Sequence, residues 1–175
     1  MTYYSTPQPS IIYSSALYGV ARGEIDWVNG EIKVMLCSQH YTPDGGHWHV
    51  SDVAYEIEAP GYTPGGEVVT GRTIRFTADG RVMIWDANDV RWPPMSAWPK
   101  RAVMYQDTGD PETSRLISCI FLDHGPQVIQ STYTITWPFD GAVQLPNPDW
   151  PPMRQVVETK TWPYFQQTKK WIRRK

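Results

Sequence analysis

Two histidines one residue apart are the first place in this chain where chemistry could sit. On an extended strand His47 and His49 share a face, and Asp44 and Asp52 stand close by in sequence. Two imidazoles on one face begin a zinc site, which wants three or four ligands. The sequence assigns no third ligand and the segment reads as a loop, so a polar loop is the plainer reading and no metal is assigned. Asp86, Asp89 and Asp107 form a second candidate set, for acid–base work or for Ca²⁺. Their spacing lacks the alternating carboxylates and closing Glu of an EF-hand loop. Asp86-Ala87-Asn88-Asp89 fits better as an Asx-type turn between strands. Cys37 lies three positions before His40, but one strand end does not place the two as nucleophile and base. No nucleophile elbow, phosphate-binding glycine loop, His-Glu-x-x-His or Cys-x-x-Cys occurs. The chain therefore reads as a non-enzyme without a cofactor.

Chemistry of recognition is concentrated at the C-terminal end. Trp150, Trp162, Tyr164, Phe165 and Trp171 lie there beside Lys169, Lys170, Arg173 and Arg174. Prolines at 148, 151, 152 and 163 forbid a continuous helix or a central strand. So many aromatics are foreign to a solvated disordered tail. An extended arm that lays its aromatics into pockets on a partner, with cations at the rim, resolves that conflict. An arm folded onto its own body is the alternative. Charge follows the same division: residues 1–159 sum to −8 and residues 160–175 to +6. Opposite signs on one chain favour pairing between copies or with another acidic surface. Basic aromatic segments also suit nucleic acid, but a body at −8 would repel it, so nucleic acid is not the expected partner.

The elements that must carry these groups are mostly strands. In 175 residues, charged side chains are 19%, against about 25% for an average domain, while aromatics reach 13%. Sixteen Pro and thirteen Gly call for many turns. Cys37 and Cys119 sit inside the apolar runs KVMLC and LISCIFL and read as buried reduced thiols; a disulfide cannot be claimed from sequence. Met1–Ser10 lacks a signal-peptide pattern and no apolar run approaches 18 residues, so synthesis in the cytoplasm and a soluble product are expected. Residues 1–10 read as an N-terminal arm and Ile11–Ala21 as a short helix stopped by Gly23. Strands are expected over Glu31–Cys37, Val53–Ala59, Val68–Thr77, Arg81–Trp85, Arg101–Gln106, Leu116–Leu122, Val128–Trp137 and Ala142–Leu145. Along Thr132–Trp137 the alternation is strict, with Tyr133, Ile135 and Trp137 on one face. The expectation is an all-β fold, an antiparallel β-sandwich of jelly-roll type with one short N-terminal helix and extended terminal arms. Its domain spans 11–147, and the basic arm spans 148–175.

The succession GEIDWVNGEIKVMLC, HYTPDGGHWHVSDVAYEI, GYTPGGEVVTGRTI, DANDVRWP, RAVMYQDTG, LISCIFLDHG and TYTITWPFDGAVQL resembles a group of tailed-bacteriophage proteins encoded among head and tail structural genes. The likeness covers roughly residues 18–146. It implies a non-catalytic virion component of β-sandwich type, assembled in the host cytoplasm. The expected role is a minor capsid or capsid-decoration protein, multi-copy or homo-oligomeric, docked on other virion proteins, above all the major capsid protein. A tail, head–tail connection or baseplate component is the alternative. Such a component would hold a host-surface glycan through Trp and Tyr of the loops His47–His49 and Trp92–Trp98. Residues from Pro148 onward lie outside the resemblance.

Overall fold

The computed structural model describes residues 2–5, 10–122 and 128–146. The expected partner-binding residues Trp150, Trp162, Tyr164, Phe165, Lys169, Lys170, Trp171, Arg173 and Arg174 lie outside the described residues. In chain order the elements are β1 (Thr2–Ser5), β2 (Ser10–Ile12), α1 (Ser14–Ala21), β3 (Glu31–Cys37), a 3-10 turn (Val50–Asp52), β4 (Glu67–Val68), β5 (Thr73–Phe76), β6 (Val82–Asp86), β7 (Val90–Ala97), β8 (Arg101–Asp107), β9 (Leu116–Phe121), β10 (Val128–Ile135) and β11 (Val143–Pro146). A five-stranded sheet runs β2-β9-β8-β3-β4, and two three-stranded sheets run β1-β10-β7 and β11-β6-β5. Every pairing is antiparallel except β1 on β10. The fold is thus all-β with sandwich-like packing, and its sheets are open rather than closed into a barrel.

The two smaller sheets use the same two stretches of chain in succession and form an interrupted ladder of two separate pairings. Val82 to Trp85 pair with Pro146 back to Val143, and Val90 to Ala97 pair with Ile135 back to Val128. Between these stretches Trp137 reaches across, its N–H donating to Asp89 and its indole Nε1 to the Asn88 carbonyl. No turn or bend interrupts the chain from Val82 to Ala97. Strand β6 leads into β7 through residues 87–89, whereas β10 leads into β11 through a turn closed by the Gly141 N–H donating to the Pro138 carbonyl. Pro146–Val82 and Ala97–Val128 are the outermost pairs of the two pairings.

The five-stranded sheet is buried on both faces. Ile32, Val34 and Leu36 of β3, Ala102 and Met104 of β8, and Ile117 and Ile120 of β9 pack against the ladder's Trp85, Trp92, Tyr133, Ile135, Val143 and Leu145. The alternate residues Met35, Cys37, Val103, Tyr105, Leu116 and Cys119 face the other way, onto Tyr13, Tyr41, Val50 and Val53. Those covering residues come from the start of α1 and the long loop after β3. Two-sided burial explains why KVMLC and LISCIFL read as apolar runs rather than alternations.

Several sequence expectations shift. The helix begins at Ser14 rather than Ile11, because Ser10–Ile12 pairs with β9 and Tyr13 is buried against Tyr41. Its Leu17 is exposed. Val53–Ala59 makes a single bridge, Glu56 to Cys37, instead of a strand. Val68–Thr77 is broken by Gly71, leaving β4 and β5. Strand β7 carries Pro93 and Pro94 and was not expected. It pairs only with β10, so it is an edge strand, where the missing N–H of proline is tolerated. Along β10, Tyr133 and Ile135 are buried and continue to the buried Trp137, as the alternation requires.

Candidate interaction site

The groups that could do chemistry are placed apart and engaged in structure. His47 Nδ1 lies 3.1 Å from the Tyr41 hydroxyl, which lies 2.7 Å from that of Tyr13. His49 caps the 3-10 turn: its side chain accepts from the Asp52 N–H, while Asp52 accepts from the N–H groups of Trp48 and His49 at 2.8 and 3.0 Å. Those bonds hold the Asp52 carboxyl below its ordinary range. Among the described residues no group of three His, Cys, Asp or Glu is placed to hold a metal. Asp86 caps Ala87 and faces Arg75 at 3.6 Å, and Asp89 accepts from Trp137. Asp107 lies on a different sheet, 2.5 Å from Lys33 Nζ. Burial pushes its carboxyl up, but Lys33, the Gly109 N–H and Ser114 outweigh this and leave it below the usual range. Cys37 and Cys119 are both buried and free. Burial raises the Cys37 thiol well above its ordinary value and Cys119 to about 11, so neither offers a thiolate near neutrality. His40 is exposed and its ring packs at a tilt against Tyr55.

The Gly-Tyr-Thr-Pro-Gly-Gly segment acts as a lock. The Tyr62 hydroxyl donates to Glu56 Oε1 at 2.6 Å and accepts from the Leu36 N–H at 2.9 Å. Gly65 N–H donates to the same carboxylate oxygen at 2.7 Å. Gly61 and Gly66 have φ of +84° and +78°, and a Cβ there would come within 2.0 Å of the Pro94 carbonyl and 1.9 Å of the Val34 carbonyl. Only glycine permits both the backbone turn and the approach. Arg72 fastens the opposite side: its guanidinium donates to the carbonyls of Trp27, Val28, Val69 and Gly30. Sequence reading placed this Thr-Gly-Arg-Thr stretch on a strand; its arginine instead ties two loops together.

The lock fixes one wall of a surface groove of about 360 Å³ at the Ala97 end of the ladder. Ser38 to His40, Glu56 to Ala59, Ser96 to Trp98 and Lys100 line it. Trp98, at 55% exposure, is one of its walls, and Tyr55, at 61%, adjoins it through His40. The Tyr55 and His40 rings meet at a tilt of 50° with 5.8 Å between centroids, and the Lys100 ammonium lies 4.7 Å from the centre of the Trp98 ring. Tyr55 also has φ of +63°, a left-handed backbone that costs a non-glycine residue roughly 1–3 kcal/mol. Its carbonyl accepts from the Ser38 N–H at 3.0 Å and its neighbour Glu56 bridges Cys37, which together hold that conformation. Ile57, Ala59 and Ala97 supply apolar lining, and Glu56 and Glu58 supply carboxylates. Planar aromatics, an apolar lining and a few charged groups form a recognition surface rather than a reaction centre.

Of the two loops expected to present aromatics, each is half right. Trp92, inside β7, is fully buried in the core, while Trp98, just past the end of β7, is exposed. Trp48 is half-buried, edge-on to Tyr18 at 5.2 Å and beneath Arg115. Arg115 itself pairs with Glu24 at 2.5 Å beside a second, polar hollow that includes His49 and Gln106. Tyr55 was missed; nothing in Ala54-Tyr55-Glu56 signals a left-handed residue. Compared with models of protein families, with curated proteins and with solved structures, the chain matches none.

Proposed function

We propose that this chain is a non-enzymatic structural component of a tailed-phage particle. In that reading it is a minor capsid or decoration protein, present in many copies, that docks on capsid subunits through its body and its C-terminal arm. The observation that carries the reading is the division of the chain into a β body and a basic arm of opposite charge. Residues 1–146 carry nine Lys and Arg against sixteen acids, and residues 147–175 carry seven against two, giving −7 and +5. The reading starts from the resemblance read in the sequence to head and tail structural proteins; the open β-sheet body and the structural contacts of the candidate Asp and His side chains are compatible with it. The β5 edge adds a second contact surface, with Ile74, Phe76 and Phe139 exposed at 43%, 59% and 94%. Unpaired edges with apolar side chains invite a partner.

Quantitative mass spectrometry of purified particles tests the placement. Hundreds of copies per particle are expected for a shell protein, and absence from particles overturns the reading. A handful of copies would move the protein to the tail, the head–tail connection or the baseplate. That second reading, with a host glycan as ligand, is favoured by the exposed Trp98 in the groove wall and Tyr55 beside it.

A further inference from the structure

The groove under Trp98 lies at the Ala97 end of β7, and the described chain stops at Pro146, which pairs with Val82 at the start of β6. Ala97, which lines the groove, lies fifteen residues after Val82 along the β6–β7 path. At about 3.3 Å per residue this is up to about 50 Å of strand. The 29 residues after Pro146 extend to about 100 Å at most. That length is enough to carry the segment from Pro146 of one copy to the groove of another.

The chemistry of arm and groove matches. Residues 147–175 contain four prolines and three tryptophans with a net charge of +5. Proline-rich segments are already extended, lose little entropy on binding, and dock between aromatic side chains. The groove offers Trp98 and His40 as planar walls, with Tyr55 against His40, and its carboxylates Glu56 and Glu58 outnumber its one lysine, Lys100. Tyr55, held exposed in a left-handed conformation, contributes little to the core and is explained by an occupant that covers it.

We infer that this groove is the receptor for the C-terminal segment, residues 147–175, of a second copy of the chain. The contact is head-to-tail, the heterologous kind that closes into rings or continues as a string. It rests on the reading of the protein as a multi-copy assembly component and names the partner surface of its arm.

The test uses the full chain with a photo-crosslinking amino acid at exposed position 58. Unlabelled and ¹⁵N-labelled chains are mixed at high concentration and irradiated, and the linked peptides are read by mass spectrometry. Links from position 58 into residues 147–175 in mixed light–heavy pairs are the expected result. Links within one isotope only mean that each arm fills its own groove and overturn the inference, as does the absence of links to the arm. In sedimentation velocity, Trp98→Ala combined with Tyr55→Ser should weaken self-association at least tenfold while circular dichroism stays unchanged. Unaltered association overturns the assignment, and binding of the wild type to a glycan array that Trp98→Ala abolishes reassigns the groove to a saccharide. Failure of the parent reading is separate. A chain absent from particles that still forms mixed links keeps the groove and loses the virion. A chain abundant in particles without such links does the reverse.

Discussion

The two faces of the five-stranded sheet are covered in different ways. Its front is closed by another sheet system, with Leu36, Met104 and Ile120 meeting Trp92, Tyr133 and Ile135 in a core that is apolar almost throughout. Its back is closed by a loop and the first turn of a helix, which bring hydroxyls and an imidazole to the buried surface. Tyr13, Tyr41 and His47 form a hydrogen-bonded row there, and Ser15 Oγ donates to the Trp48 carbonyl at 2.6 Å. A sheet can cover another sheet by shape alone, since its backbone groups are already paired. A loop brings unpaired backbone and must be fixed point by point. Stability should therefore be global and volume-dependent in front, local and bond-dependent behind.

Leu36→Ala tests the front and should have the largest effect. It removes a fully buried side chain between the sheets, and a loss of about 2–5 kcal/mol is expected from urea unfolding. A loss under about 1 kcal/mol would mean that the two sheets are not joined by this core. Tyr41→Phe tests the back. It deletes the hydroxyl between Tyr13 and His47 and should cost about 1–2 kcal/mol. Amide hydrogen exchange should then quicken over residues 41–53 and stay unchanged in β10. If both regions exchange faster to the same degree, the two covers are not independent.

The smallest effect concerns the rim of the back face, where Lys33 and Asp107 pair at side-chain exposures of 24% and 19%. The Asp107 carboxyl lies below its ordinary range in the folded chain. Its contribution is therefore present above the unfolded carboxylate value of about 3.9 and is lost as pH falls through the folded value. Asp107→Asn should lower stability by about 1 kcal/mol at pH 6 and by progressively less below about pH 4. Thermal unfolding of both proteins from pH 6 to pH 3 reads this directly, and a difference that stays constant with pH would remove the carboxylate from the explanation.

Much of the architecture is legible in the residues. Glu31–Cys37 forms a strand with the expected bounds, the Ala78-Asp79-Gly80 connection joins β5 to β6, and Thr132–Trp137 turns its aromatic face inward. What is not legible follows from contacts remote in sequence. The two prolines in β7 argue against a strand until the strand is known to be an edge. The apolar residues of the first helix suggest a longer helix until β9 captures Ser10–Ile12. His47 and His49 look like a ligand pair until Tyr41 and the Asp52 turn engage them separately.

The groove was hidden for the same reason. Trp92 and Trp98 are alike as sequence, two aromatics beside prolines, and only the tertiary structure sends one, inside β7, into the core and the other, just past its end, to the groove. By itself the sequence determined the all-β class, the buried thiols, the positions of the glycine turns and the opposite charges of body and arm, because these depend on local pattern and composition. The tertiary structure alone decided that β6–β7 and β10–β11 pair in succession, that the apolar strands are covered on both faces, and that Trp98, His40 and Glu58 line one groove. Those are facts of register and packing, set by residues far apart in the chain, and no local pattern contains them.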